Sequence, residues 1–361
     1  MLKIISTSVD EGGCGHLRVR QPFEMIKRYT EHDVHIIDPQ HDDMVAVTDA
    51  MRVADVIVNR QGAGSGMNKI LSYPEFKDKK WVYDVDDNTE NLSPYNFHYE
   101  DFGTEEYKDK NGTWIWKDGV GKFDIARNKN KMGWHIWAMK NASLVTVTTD
   151  KLAEYVKQYN KSVNVLPNCL NMDRWWPLEL KPNKRKRVIW SGGVSHYEDW
   201  YSIREPLNKL MRELDFDLVM VGADFRGVID KDNIKRVITT DWVPFKGHSY
   251  RMMCMAGDVA IIPLADLPFN HYKSSVKWYE MGAMAIPSLV SNILPYSKEI
   301  KSGINALGYN TSKQFYDGLK TLLQNEAMSK RLGSEARKWV EENRDAKKNV
   351  NLWIDAYKSI I

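Results

Sequence analysis

Short apolar runs and longer amphipathic stretches alternate along the chain. Residues 2–6, 34–37, 53–58, 80–85 and 144–148 read as buried strands. Between them, 20–29 and 124–141 carry helical spacing. A second series follows, with strands at 187–190, 218–221, 237–239, 259–263 and 286–289. Its helices fall at 202–214, 274–284, 312–323 and 327–343, and the last stretch, 347–361, is amphipathic. Strand–helix alternation in two series predicts two parallel α/β layers.

The seam lies near 168–187, where Trp175-Trp176-Pro177 precedes a basic, proline-containing run ending at Arg187. That run reads as a solvated linker or as a phosphate-contacting patch. The expected division is a first domain over 1–170 with an insertion at 91–123, and a second over 171–346. The 347–361 helix would pack back on the first domain. In open parallel sheets a ligand sits beyond the carboxyl ends of the strands, so chemistry is expected just after strands, in a cleft between two such domains.

The chain has 361 residues, long enough for two domains and a sizeable core. Lysine plus arginine number 51 against 48 aspartates plus glutamates, which rules out a histone-like polycation but not a local basic groove. Cys14, Cys169 and Cys254 are too far apart for a disulfide framework or metal spacing, as expected for idle thiols in a reducing compartment. No signal peptide is visible and no apolar run is long enough to span a bilayer, so a cytoplasmic protein without membrane insertion is expected. The 13 tryptophans are unusual, and some fall in polar loops where they can act as stacking platforms.

The most informative stretch runs from Pro268 to Ala283, after the 259–263 strand. Ser274 or Ser275 is the expected N-cap. Free amides at that helix start, with Lys273 beside them, make an anion site. Glu280, seven residues after Lys273, is expected on the same helical face, where it can accept both hydroxyls of a ribose. A plain capped helix with exposed Lys273 and Glu280 is the alternative.

Phe269-Asn270-x-x-Lys273-Ser274, then Glu280 and Pro287, resembles the donor-binding helix of GT-B glycosyltransferases of the family-4 type. That family usually carries two glutamates; Glu280 matches the second, whereas Tyr272 stands at the first. A Phe-Asn-x-x-Lys-Ser subset fits better. Ala285 replaces the usual glycine before the Ile-Pro step. The resemblance implies an α/β GT-B fold, two Rossmann-like domains facing across a cleft, and a nucleotide-diphosphate sugar (UDP- or GDP-linked) as co-substrate without an essential metal.

Three further segments resemble the same subset. Trp190-Ser191-Gly192-Gly193, followed by His196, follows a strand, and glycines there let backbone approach phosphate closely. His196 occupies the region of a cationic diphosphate contact, or is a surface histidine on a tight turn. Gly12-Gly13-Cys14-Gly15-His16-Leu17-Arg18 resembles the glycine loop facing the donor. Asp241-Trp242-Val243-Pro244 resembles the segment flanking the base, though Trp242 also reads as core. Val165-Leu166-Pro167-Asn168 and Asp173-Arg174-Trp175 fit as well.

Asp84-x-Asp86 matches the metal-holding DxD signature of GT-A transferases. In the GT-B reading, Asp86 or Asp87 instead lies near the acceptor hydroxyl and orients it or takes its proton; a strand-ending turn is the plain reading. The insertion holds Trp114 and Trp116, with Lys110-Asn111-Gly112-Thr113 as a hairpin turn. Arg127, Lys129, Lys131 and Lys140 follow on a helix with Trp134 and Trp137. Aromatics interleaved with cations suit nucleic-acid stacking, carbohydrate stacking or a hydrophobic cover.

Tyr83-Asp84-Val85-Asp86-Asp87-Asn88, with Ser93-Pro94-Tyr95-Asn96 and Phe102-Gly103-Thr104, resembles glycosyltransferases of tailed bacteriophages, some of which modify hydroxymethyl pyrimidines in DNA. The expected activity is therefore retaining sugar transfer, with Lys273, the helix amides and either His196 or Arg18 steadying the departing diphosphate. DNA is the expected acceptor; a saccharide or lipid acceptor, a catalytically inactive sugar-nucleotide-binding module and a metal-dependent transferase are the alternatives.

Overall fold

The computed structural model describes residues 1–7, 12–37, 42–61, 64–178 and 185–361. The Asp10-Glu11 end of the first loop and Lys181–Lys184 of the basic run lie outside them. Two compact units emerge: 1–94, 98–168 and 346–361 form the first, and 95–97 with 169–345 the second.

The first unit starts with β1 (Lys3–Ser6), then a continuous helical run through α1 (Gly13–Gly15), a π turn (His16–Arg20) and α2 (Gln21–Tyr29). β2 (Asp33–Ile36), α3 (Met44–Val53), β3 (Val56–Arg60), α4 (Gly64–Leu71) and β4 (Trp81–Val85) follow. Next come α5 (Tyr99–Phe102), a hairpin of β5 (Tyr107–Lys108) and β6 (Trp114–Trp116), and α6 (Ile125–Asn141). β7 (Leu144–Val147), α7 (Asp150–Val156) and β8 (Val163–Val165) complete the series. The strands pair in parallel in the order β2-β1-β3-β4-β7-β8. Every residue of β3, β4 and β7 is buried, as expected for a sheet covered on both faces.

The insertion is more regular than the irregular loop expected from its sequence. Gly112 has φ +81°, the left-handed conformation that closes the β5–β6 turn. Asp109 accepts from the amides of Asn111 and Thr113 there.

The second unit holds β9 (Lys186–Gly192), α8 (Tyr197–Glu213), β10 (Phe216–Gly222), β11 (Val237–Thr240), α9 (His248–Met255) and β12 (Val259–Ile262). It continues with α10 (Val276–Ala283), β13 (Ser288–Ser291), β14 (Leu307–Tyr309), α11 (Ser312–Gln324) and α12 (Glu326–Asn343). The parallel order is β11-β10-β9-β12-β13-β14. In rank order that is 3-2-1-4-5-6, the dinucleotide-fold arrangement, whereas the first sheet runs 2-1-3-4-5-6, the flavodoxin-like variant. The chain then returns to the first unit as α13 (Val350–Lys358), which packs on α2.

Ala285 adopts φ +58°, a left-handed conformation that glycine takes more readily, between α10 and β13. Gly333 of α12 backs onto it: a Cβ at 333 would come within 2.0 Å of the Ala285 carbonyl oxygen.

Candidate nucleotide-sugar site

Strand order reverses between β9 and β12 in the second sheet, and the chain after each strand builds one polar cluster. β9 ends at Gly192, where an added Cβ would lie 2.6 Å from the Trp190 ring and 3.1 Å from His196. Gly222, at φ +104°, lies against the Gly192 carbonyl; Gly193 has open space around it. The chain then turns through Val194–His196 into α8.

His196 is buried. Its Nδ1 lies 2.5 Å from Asp199 Oδ2, and its Nε2 lies 3.0 Å from Lys277 Nζ. Lysine can only donate, so Nε2 accepts and the ring proton sits on Nδ1, donated to Asp199. Burial, then the charges of Lys277 and Lys273, push the His196 pKa down to about 3. The cation expected at His196 is thus supplied by Lys277, and the imidazole stays neutral.

Asp199 Oδ1 accepts from the Ala265 amide at 2.7 Å and from Asn270 Nδ2 at 3.0 Å. One carboxylate therefore ties the start of α8 to the loop after β12. Burial opposes its charge, but His196, Lys273 and the Ala265 amide hold its pKa below the usual aspartate range.

Pro268–Tyr272 is a short 3-10 helix that ends at Lys273, whose backbone is extended (φ −64°, ψ 163°). Lys273 therefore stands outside α10, with its ammonium 4.8 Å from the Phe269 ring centre. The shared helical face expected for Lys273 and Glu280 does not exist, because the helix begins two residues later than the spacing argument assumed. Lys277 lies in the first turn of α10, a position the sequence alone does not single out because the helix start is open between Ser274 and Ser275. Ser275 stands at the N-cap position without capping. Its hydroxyl is buried and has no hydrogen-bond partner. First-turn amides of a helix lack intrahelical acceptors, so this end of α10 offers N–H groups, a hydroxyl and two lysines to one anion. Ser274 precedes it, half-buried.

Further along α10, Glu280 is buried rather than solvent-exposed, and its Oε1 lies 3.0 Å from Nε2 of His248. Burial disfavours the imidazolium, but Glu280 outweighs it and raises the His248 pKa above the ordinary value. Trp242, in the loop between β11 and α9, is 60% exposed, so it is not core; Val243 beside it is half-buried.

In the first unit, Gly12 and Gly13 lead into α1 after β1, and the His16 amide bonds back to the Gly12 carbonyl. Arg18 is not available to a donor phosphate. It is fully buried, with Nε and Nη2 on the two carboxylate oxygens of Asp84 (3.0 and 2.7 Å) and Nη1 on Asn168 Oδ1 (3.1 Å). Thr146 Oγ1 donates to the same Asp84 at 2.6 Å. Asp84 is thus consumed inside the fold and cannot serve as one arm of a metal-holding DxD. Asp86 pairs with Arg60 Nη1 at 3.0 Å. Gln61 Oε1 accepts from the amides of Asp86 and Asp87, and its Nε2 donates to the Asp87 carbonyl. Gln61, unmarked by any sequence motif, therefore shapes the Asp86–Asp87 turn.

The aromatic insertion divides in two. Trp116 donates from Nε1 to the Pro94 carbonyl at 2.6 Å and packs against the stacked Tyr99 and Phe123 rings, so it is half-buried in a local aromatic cluster rather than a free stacking surface. Trp114 is 42% exposed, with Lys108 Nζ 4.1 Å from its ring centre. Arg127 and Lys129 are exposed on α6, whereas Lys131 is tied to Asp101 at 2.8 Å.

Solved structures match the whole chain. Sucrose-phosphate synthase from Thermosynechococcus elongatus superposes with a TM-score of 0.68 at 14% identity, covering 100% of this chain and 99% of that one. The fold is GT-B. HepE from Anabaena, in complex with UDP and glucose, gives 0.67 at 14% identity over 99% of this chain and 100% of its own. A glycosyltransferase from Rickettsia africae gives 0.65 at 12% identity over 99% and 98%. No family model and no curated protein sequence matches the chain.

In this GT-B chain the structure brings Gly192, Gly193, His196, Lys273 and Ser275 to one end of the β9–β12 switch point. Glu280 sits further along the same helix. Arg18 and Trp116 leave the candidate set, and Lys277, Asp199 and His248 join it.

Proposed function

We propose that the protein is a glycosyltransferase that moves a sugar from a nucleotide-diphosphate donor to an acceptor hydroxyl. The observation that carries this is the Lys277–His196–Asp199 chain beside the unpartnered Ser275 hydroxyl, at the position where a dinucleotide-type sheet receives a diphosphate. UDP is the first donor to test, because HepE, of the same fold, was solved with UDP-glucose.

In this reading the α10 amides, Ser275, Lys277 and Lys273 hold the diphosphate, and they bind it most tightly as charge builds on the leaving oxygen. His196 holds Lys277 in place. Glu280 accepts the ribose hydroxyls, with His248 fixing its carboxylate, and Trp242 stacks on the base. Transfer proceeds with retention: the sugar–phosphate bond breaks as the acceptor oxygen adds on the same face, and the acceptor proton passes to the leaving phosphate oxygen. Asp86 and Asp87 orient the acceptor, and the protein supplies no covalent nucleophile.

For the acceptor we propose a hydroxymethyl pyrimidine in DNA, as in the bacteriophage enzymes whose motifs it resembles. Exposed Trp114, Arg127 and Lys129 support this. No described helix is long and apolar enough to cross a membrane. A saccharide acceptor is the second reading, favoured by the tyrosine-lined groove on α8 described below.

The test is incubation with UDP- and GDP-sugars, with and without hydroxymethylcytosine or hydroxymethyluracil DNA or a panel of oligosaccharide acceptors, in excess EDTA, with the saccharides also analysed by mass spectrometry. Nucleoside diphosphate release and nucleoside mass spectrometry are the readouts. Release with a sugar-sized mass shift on DNA is expected. Release with transfer only to a saccharide overturns the DNA acceptor, and no release from any donor overturns the transferase.

A further inference from the structure

A groove of about 930 Å³ lies on the second unit, between α8, the Arg226–Val228 turn after β10, and α11. That volume is within the range of small-molecule sites, roughly 300–1,000 Å³. Nothing in the proposed donor chemistry uses it.

Its construction is specific. Tyr197, Tyr201 and Arg204 follow one another at helical spacing on the outer face of α8. Tyr197 and Tyr201 are 45% and 47% exposed, with ring centres 6.0 Å apart. The Arg204 guanidinium lies 3.9 Å from the Tyr201 ring centre, so one face of that ring is braced. The wall opposite α8 is also fixed. Buried Asn208 accepts from the Asp230 amide at 2.8 Å and donates to the Val228 carbonyl at 2.9 Å, which pins the turn after β10 to the helix.

The charge pattern decides the ligand class. Three of the four basic side chains lining the groove already face an acid: Arg204 with Glu205, Arg212 with Asp230 and Lys313 with Asp317. The fourth, Lys209, sits over the Tyr316 ring. A polyphosphate entering here would meet three carboxylates. A neutral polyhydroxylated chain would not, because paired carboxylates and guanidinium groups offer hydroxyls both acceptors and donors. The exposed tyrosines suit the flat C–H faces of sugar rings.

We propose that this groove is a binding site for a neutral oligosaccharide, separate from the nucleotide-sugar site. The inference does not depend on the transferase reading, because binding is measured without donor.

The experiment titrates the intact protein, by calorimetry, with maltohexaose, cellohexaose, chitohexaose and mannohexaose, and with a single-stranded oligodeoxynucleotide. At least one hexasaccharide should saturate, with an affinity that does not change between low and high salt. Tyr201→Ala should weaken it on the order of tenfold, whereas Tyr201→Phe keeps the ring and the binding. Donor binding at the β9–β12 switch point should be the same in all three proteins, which also reports that each variant is folded. The proposal is overturned if none of the four hexasaccharides binds, if Tyr201→Ala binds as tightly as wild type, or if only the oligonucleotide binds.

Discussion

Lys277 Nζ lies 3.0 Å from His196 Nε2, on the side of the ring opposite Asp199. The histidine is thereby fixed as a neutral acceptor, and the positive charge at the β9–β12 switch point belongs to lysine. A neutral imidazole that positions a lysine differs from the cationic histidine contact the motif suggested, and the difference is open to experiment.

Lys277→Ala should lower nucleoside-diphosphate affinity about ten- to hundredfold, the roughly 1.5–3 kcal/mol of a lost charge-assisted hydrogen bond, and turnover with it. It also removes the largest charge acting on His196, so the His196 pKa should rise. Lys273→Ala should act in the same direction on both. Calorimetry and histidine NMR titration read the two effects. Unchanged diphosphate affinity in Lys277→Ala would remove that lysine from the site.

Glu280→Gln keeps the shape but removes the carboxylate charge. Donor affinity should fall by about 1–3 kcal/mol. With the group that raises it gone, the His248 pKa should drop below its wild-type value. A wild-type His248 titration would show that the 3.0 Å contact is not the source of the shift.

The strand pattern was legible because most strands here are continuous apolar runs. The strands it missed, β5, β6, β8 and β14, are two or three residues each, too short for any period. The run at 286–289 was displaced because the left-handed turn at Ala285 carries the chain past Ile286 and Pro287 before β13 starts at Ser288. Glu280 and the Phe269–Ser274 motif were visible as residue types in a known order. Lys277 was not, since its relevance depends on where α10 begins. Arg18 misled for a related reason: a cation in a glycine-rich loop reads as a phosphate ligand, and its true partner, Asp84, is distant in sequence and adjacent only in the folded sheet.

Arg18 and Asp84 therefore give a structural prediction. Arg18→Met should destabilise the fold by about 3–5 kcal/mol by stranding a buried carboxylate. Arg18→Met combined with Asp84→Leu should cost less than Arg18→Met alone. Urea unfolding checks both. A normally stable Arg18→Met protein with weakened donor binding would return Arg18 to the site.

Acid should weaken the fold through buried histidines. Burial holds His135 down to about 4, and burial with two neighbouring lysines holds His196 down to about 3. In the unfolded chain both titrate near 6.5. Below that pH the unfolded state binds protons the folded state refuses, so stability falls as pH drops from about 6.5 toward 4. The slope is up to about 1.4 kcal/mol per pH unit for each histidine. The raised pKa of His248 contributes above about 6.5 and leaves the slope below that pH nearly unchanged. His135→Gln should flatten the slope in chemical denaturation between those limits.

The central claim is that the second unit binds a nucleoside diphosphate at the start of α10. Calorimetric titration of the whole protein with UDP and GDP, and with the matching monophosphates, tests it most directly. One diphosphate should bind with one-to-one stoichiometry and more tightly than its monophosphate, and Lys277→Ala should remove most of that difference. Absence of binding by either diphosphate, or equal binding of mono- and diphosphate in both proteins, would contradict the account.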